Sequence, residues 1–188
     1  MSLLEAVSQC MNYFESNDSK LGGFVTTIFQ IRWEMNIELA KRCCNFATGI
    51  AAINGKYYIA MYTMLIKHLY LDYDNRMLHI CRSICLESEE KKEIDELVHD
   101  TIQSILKIAP LSNNALFQVC QDSFPHNSAP VELQTYYLKN LLKILSYAPM
   151  IRDRSIAVII EKLTAIDVST GDPVDELGWN SHRRFQIE

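Results

Sequence analysis

The chain is poor in the residues that interrupt regular structure: its 188 residues include only 6 glycines and 5 prolines. A turn-dense β protein draws on both types at short intervals, so that class is disfavoured. Long apolar runs are missing too. None reaches the ~18 residues that a membrane-crossing helix requires. The opening decapeptide MSLLEAVSQC holds Glu5 and no basic cluster, so no secretory leader is expected and the chain reads as intracellular. Positive charge is scarce: 18 Lys and Arg face 23 Asp and Glu, a net charge of −5. The basic pairs Lys41–Arg42, Lys91–Lys92 and Arg183–Arg184 stand apart and read as solvated surface groups. A protein that grips phosphates gathers such residues into a stripe, so strong direct nucleic-acid binding is not expected.

Catalytic and metal-binding patterns are also lacking. There is no glycine-rich phosphate loop, no GxSxG and no HExxH. His68, His79, His99 and His126 are scattered, and Asp72 and Asp74 lie in a turn-like LDYDN where carboxylates are ordinarily just solvated. The cysteines Cys10, Cys43, Cys44, Cys81, Cys85 and Cys120 form no CxxC and read as small buried hydrophobes. A metal site from His79, Cys81, Cys85 and His99 is the sharpest alternative, but it lacks zinc-ligand spacing. The expectation is therefore no enzyme, no cofactor and no metal.

What is present is helix. Hydrophobic residues make up 48% of the chain, ample for a core. Residues 97–168 read as two successive helix–turn–helix units. A shift of 36 carries Leu97, Ile102, Ile105, Leu106, Lys107 and Ile108 onto Leu133, Leu138, Leu141, Leu142, Lys143 and Ile144. A shift of 40 carries Leu116, Val119 and Cys120 onto Ile156, Ile159 and Ile160, which implies a longer first helix in the second unit. Such a period, built from helix pairs, points to an all-α chain, an α-solenoid of HEAT or armadillo-like pairs, over 1–168. An irregular tail is expected over 169–188.

The stretch 132–148 shows the local logic. Glu132, Thr135, Lys139, Lys143 and Ser146 form a polar stripe, leaving Leu133, Tyr137, Leu138, Leu141, Leu142 and Leu145 as the apolar face. Pro130 suits a first turn, Asn127 and Ser128 are capping candidates, and Pro110 and Pro149 end the helices before them. AVII at 157–160 could be a buried strand, but Glu161, Lys162, Leu163 and Ile166 continue a helical period. Upstream, helical spacing marks 3–14 and 24–33, the latter with Gly22 and Gly23 at its start, and then 37–53, stopped by Asn54–Gly55. The stretch 56–71 is apolar almost all round, as an inner helix would be; Met61 and Met64 are core or an adaptable binding surface. A helix is also conceivable over 77–86. The charged stretch 87–96 is a loop or the solvated start of a helix. The last helix carries Ile156, Val158, Ile159, Ile160 and Leu163, too apolar for the end of an array, which predicts self-association or low stability of the isolated chain.

The run TYYLKNLLKILSYAPMIRDRSIAVIIEKLTAIDV, with its LLKI helix, YAP turn and closing IIEKLTAIDV, resembles the RNA polymerase I-specific transcription initiation factor family. LKIAPLSNNALFQVCQDSFPH resembles the preceding repeat of that family, and Trp33 with YYIAMYTMLIKHL matches more loosely. The resemblance covers about 24–168. It implies a HEAT-repeat factor, an incomplete array here, that binds RNA polymerase I subunits and bridges them to promoter-bound core factor. It further implies a nuclear, nucleolar protein without catalysis, tuned by phosphorylation. The hydroxyl matching one regulated site, in the PLSNN turn, is Ser112; the plainer role for Ser112 is capping the next helix. Only GDPVDEL resembles the acidic loop that follows in the family. A generic helical-repeat adaptor for some other protein is the alternative.

Overall fold

The computed structural model describes residues 19–31, 36–69 and 89–170. The expectations for 3–14, for Trp33, for 77–86 with Cys81 and Cys85, and for the tail from 171 onward lie outside these residues. The described residues form seven α-helices and no strand: α1 (Ser19–Ile28), α2 (Ile37–Ile53), α3 (Tyr58–Leu69), α4 (Glu89–Ile108), α5 (Asn113–Asp122), α6 (Val131–Tyr147) and α7 (Arg152–Thr170). Short 3-10 turns at Gly55–Tyr57, Pro110–Ser112 and Pro149–Ile151 close the hairpins α2–α3, α4–α5 and α6–α7.

Local chemistry accounts for these boundaries. The Asn36 side chain accepts a hydrogen bond from the Leu39 amide at 2.9 Å and starts α2. Asn54 ends it: its amide bonds Ile50 O at 3.0 Å while its side chain accepts from Lys56 N at 3.1 Å. The inner face of α2 is made of small residues, Ala40, Cys43, Cys44 and Ala47, with Phe46 and Ile50. Small side chains let α4 pack closely against that face. α3 buries Met61, Tyr62, Met64, Leu65, Ile66 and Leu69, so both methionines are core and the all-round apolar pattern has its reason. Gly22 and Gly23 lie within α1 rather than at its start, and Gly22 admits the Tyr57 hydroxyl at the distance a Cβ would touch.

The hairpins stack so that α2, α4 and α6 line one layer and α3, α5 and α7 the other. The turn and burial pattern of α4–α5 returns in α6–α7 at a single shift of 39. It carries Ala109 onto Ala148, Pro110 onto Pro149, and buried Ile94, Val98, Ile102 and Ile105 onto buried Leu133, Tyr137, Leu141 and Ile144. The shift of 36 matched similar letters one helical turn out of place. The first helix of the second unit is also the shorter one, 17 residues against 20.

Other expectations change in detail. The polar stripe of α6 is exposed as its period requires, yet Leu142 is 52% exposed and Asn140 is buried. Neither Asn127 nor Ser128 caps α6; Pro130 occupies that position, and Gln134 reaches back to Asn127 O and Ala129 O at 3.1 and 2.7 Å. The stretch 157–160 is helical, and α7 runs to Thr170, two residues past the expected boundary. Lys92 is exposed, but Lys91 is only 2% exposed, because the charged run folds into α4 with Lys91 on its inner face.

Candidate functional site

Two turns at the same end of successive hairpins form the most distinctive surface. In each, a proline follows an alanine whose φ and ψ, −131° and 73° at Ala109 and −116° and 67° at Ala148, end the preceding helix. A three-residue 3-10 turn then sends its second residue outward and its third inward. Ser112 and Ile151 are buried, whereas Leu111 is 92% and Met150 76% exposed. Ile108 adds a third exposed apolar side chain. Between the turns lies a cleft of about 260 Å³ lined by Gln103, Leu106, Lys107, Asn113 and 147–150. Of the three, Met150 lines the cleft, and an exposed apolar side chain at a cleft suits contact with a protein partner.

Ser112 sits behind this edge. Its hydroxyl donates to Ala109 O at 2.7 Å and lies 2.7 Å from Tyr62 Oη, so Tyr62 supplies the proton of the second bond. It makes no cap bond to α5, which corrects the capping role: the hydroxyl is spent inward, joining the turn to α3.

A buried polar network ties α3, α4 and α6 together. Lys91 Nζ donates to His68 O at 2.9 Å and pairs with Asp95, which also accepts from the Tyr136 hydroxyl. Asn140 Nδ2 donates to Leu69 O at 3.3 Å and Tyr136 O at 3.2 Å. Lys91 and Asn140 thus satisfy carbonyls at the end of α3 that have no partner within the helix. With its amide nitrogen so used, Asn140 presents Oδ1 to His99 Nε2 at 3.1 Å, and Tyr147 Oη lies 2.8 Å from His99 Nδ1. The imidazole therefore donates from Nε2 and accepts at Nδ1, as a neutral ring. Burial holds His99 below the ordinary histidine range and Lys91 below the ordinary lysine range. His99 is a satisfied core residue, with a partner on each ring nitrogen. Tyr147, which also lines the cleft, links this network to it.

The described cysteines are chemically quiet. Cys43, Cys44 and Cys120 are buried, and burial pushes the thiols of Cys44 and Cys120 up to about 12. His126 lies on the surface, bonded to Ser128 in the α5–α6 connection. Among the described residues, no helix is long and apolar enough to cross a membrane.

Comparison with known proteins follows the same lines. A sequence model of the family described as RNA polymerase I specific transcription initiation factor RRN3 matches residues 1–186. The RNA polymerase I-specific transcription initiation factor rrn3 of Schizosaccharomyces pombe is 25% identical over 175 residues, 93% of this chain and 26% of its own length. The factor named tif-1A of Caenorhabditis elegans is 21% identical over 151 residues, 78% of this chain and 22% of its own. The chain thus spans about a quarter of the length of these relatives. No solved structure matches it. Matched along nearly all its length, the chain belongs to the RNA polymerase I-specific transcription initiation factor RRN3 family, a family of initiation factors and not of enzymes.

Proposed function

We propose that this chain is a polymerase-docking part of an RNA polymerase I initiation factor, built as an α-solenoid of HEAT-like hairpins over 1–168. It works without catalysis in the nucleus, in the nucleolus, on ribosomal RNA genes. It binds polymerase I subunits through the edge formed by Ile108, Leu111 and Met150 and contributes to bridging the enzyme to promoter-bound core factor. The observation that carries this reading is the repeated turn that turns Leu111 and Met150 out to solvent, in a chain matched to an initiation-factor family. Large side chains at this exposure bring no folding benefit, and exposed apolar groups favour a protein partner over nucleic acid. The net charge of −5 favours the same choice.

Phosphorylation at Ser112 belongs to this reading. Because the hydroxyl faces inward, a phosphate there acts by unseating the turn, which displaces Leu111 from the docking edge.

The test is capture of RNA polymerase I from nuclear extract on the immobilised chain. Wild type is expected to retain polymerase subunits, and the double variant Leu111→Asp, Met150→Asp to lose them with an unchanged melting temperature. Retention of a different complex by wild type, with no polymerase, would replace this reading with a general helical adaptor.

A further inference from the structure

The stretches 100–113 and 143–154 carry the cleft between the two proline turns. They hold Lys107, Lys143, Arg152 and Arg154 against Asp100 and Asp153, an excess of cations in a chain whose net charge is −5. Both arginines are engaged within the fold. The Arg154 guanidinium lies 4.0 Å over the Phe117 ring, and Arg152 Nε donates to Leu145 O at 3.1 Å. Lys107 is not engaged. It lines the cleft from the last turn of α4 and has no ion-pair partner among the described residues. The acids that do pair there, Glu38, Glu89, Glu93 and Asp95, lie in α2 and the first half of α4. Other polar groups of the cleft are spent inward. Tyr147 Oη bonds His99 Nδ1 at 2.8 Å, and Asn113 Nδ2 donates to Pro110 O at 2.6 Å. A visitor therefore meets an apolar wall of Leu106, Met150 and the Tyr147 ring, with Lys107 and the Gln103 amide as its polar contacts.

We infer that this cleft receives a short acidic segment of a protein partner. One apolar side chain of the segment enters against Leu106, Tyr147 and Met150, and a neighbouring carboxylate pairs with Lys107. Gln103 supplies a donor and an acceptor for the segment's backbone. The inference deepens the docking reading above and rests on it, by naming what the partner presents. Size and charge select this occupant. A volume of about 260 Å³ falls below the ~300–1,000 Å³ of small-molecule and cofactor sites and suits one large side chain. An unpaired ammonium beside an apolar wall is matched by an acidic group next to an apolar one. A nucleic acid satisfies Lys107 but leaves the aliphatic wall of Leu106 and Met150 without a counterpart. Tyr147 is already held by His99, so this part of the wall is set before the segment arrives.

The test uses the full chain and three fluorescent nonapeptides. The first has a central leucine flanked by aspartates, the second replaces the leucine by serine, and the third replaces the aspartates by lysines. Anisotropy titration is expected to show the first bound at least tenfold more tightly than either of the others. Lys107→Glu is expected to weaken that binding about fivefold or more, and Lys107→Arg to keep it. Lys67→Glu, the same charge change at an exposed position of α3, is expected to leave it within about twofold. No binding of the first peptide, equal binding of the basic one, or unchanged affinity in Lys107→Glu would overturn the inference. Two rival outcomes overturn it as well. A single-stranded oligonucleotide bound more tightly than the peptide and lost in Lys107→Glu assigns the cleft to nucleic acid. A dimer in sedimentation that Lys107→Glu dissolves assigns it to a second copy. Polymerase capture is read separately. Polymerase retained with no peptide bound removes this inference alone, whereas peptide bound with no polymerase retained removes the choice of polymerase as partner and leaves the cleft's chemistry standing.

Discussion

Tyr62 donates to Ser112 Oγ across 2.7 Å, and Ser112 donates in turn to Ala109 O. This short chain of hydrogen bonds pins the 110–112 turn, and with it Leu111, to the fully buried tyrosine of α3. Ser112→Ala strands the Tyr62 hydroxyl and is expected to cost about 1–2 kcal/mol. Ser112→Asp places a carboxylate in the same closed space and is expected to cost about 3 kcal/mol or more. Tyr62→Phe added to Ser112→Ala removes both partners and recovers part of the loss. Urea unfolding measures all three. A Ser112→Asp protein with the wild-type midpoint would mean that the turn opens freely, and the hydroxyl would lose its structural role. The same series separates a phosphate effect on docking from simple unfolding.

His99 makes stability depend on pH in a defined direction. Burial favours its neutral form, outweighing the Asn140 hydrogen bond and the fields of Asp95 and Asp100; Lys143 acts in the same sense as burial. The folded chain therefore takes up a proton on this ring at lower pH than the unfolded chain, whose value is near 6.5. Above that pH neither state carries the proton and the contribution of His99 is complete. As pH falls below it, the unfolded state protonates first and stability declines, by up to about 1.4 kcal/mol per pH unit. His99→Gln is expected to flatten the profile between about pH 7 and 5 while lowering stability at neutral pH. An unchanged slope in that variant would assign the decline to other groups.

Much of this fold is visible in the letters, and the parts that are not share a cause. Helical periodicity, Asn54, Pro110 and Pro149 mark α2, α3, α6 and the turns between them, because helix stops act through their own backbone neighbours. The polar stripe of α6 is visible for a similar reason: solvent selects it position by position. Lys91, His99 and Asn140 are not visible. A lysine in EKKEID looks like every solvated lysine until α3 is seen ending beside it, with its His68 carbonyl turned toward α4. The letters alone misplace the repeat register, because Leu106 and Leu142 share a letter and a neighbouring lysine but not a position in the fold. Proline geometry, which places Ala109 and Ala148 in the same conformation, decides the register. The exposed edge is half visible: the PLSNN and YAP turns can be located, but which of their residues face solvent requires the 3-10 geometry.

Lys91 and Asp95 should behave as a unit. The lysine caps the end of α3, pairs with Asp95 and lies 5.1 Å from the centre of the Tyr136 ring. Lys91→Met keeps much of the stem volume but leaves a largely buried carboxylate without its cation, at an expected cost of about 3 kcal/mol. Asp95→Asn in the Lys91→Met background should restore part of that, since the amide needs no counter-charge. Denaturant midpoints for the two single variants and the double form a complete cycle. Strictly additive losses would mean that the two residues act separately.

At Ser155 the second hairpin falls short of the first. The register carries fully buried Leu116 onto Ser155, which is buried in turn but has a side-chain oxygen with no hydrogen-bond partner among the described residues. A hydroxyl in that situation has given up water and gained nothing, a penalty of about 1–3 kcal/mol. Ser155→Ala removes the stranded group without adding volume and is expected to raise stability by about 1 kcal/mol. Leu116→Ala, at the corresponding place in α5, is expected to lose about 3 kcal/mol, because there the side chain fills its site. Thermal unfolding of the two variants beside wild type makes the comparison. If Ser155→Ala destabilises the chain instead, the hydroxyl is bonded in solution.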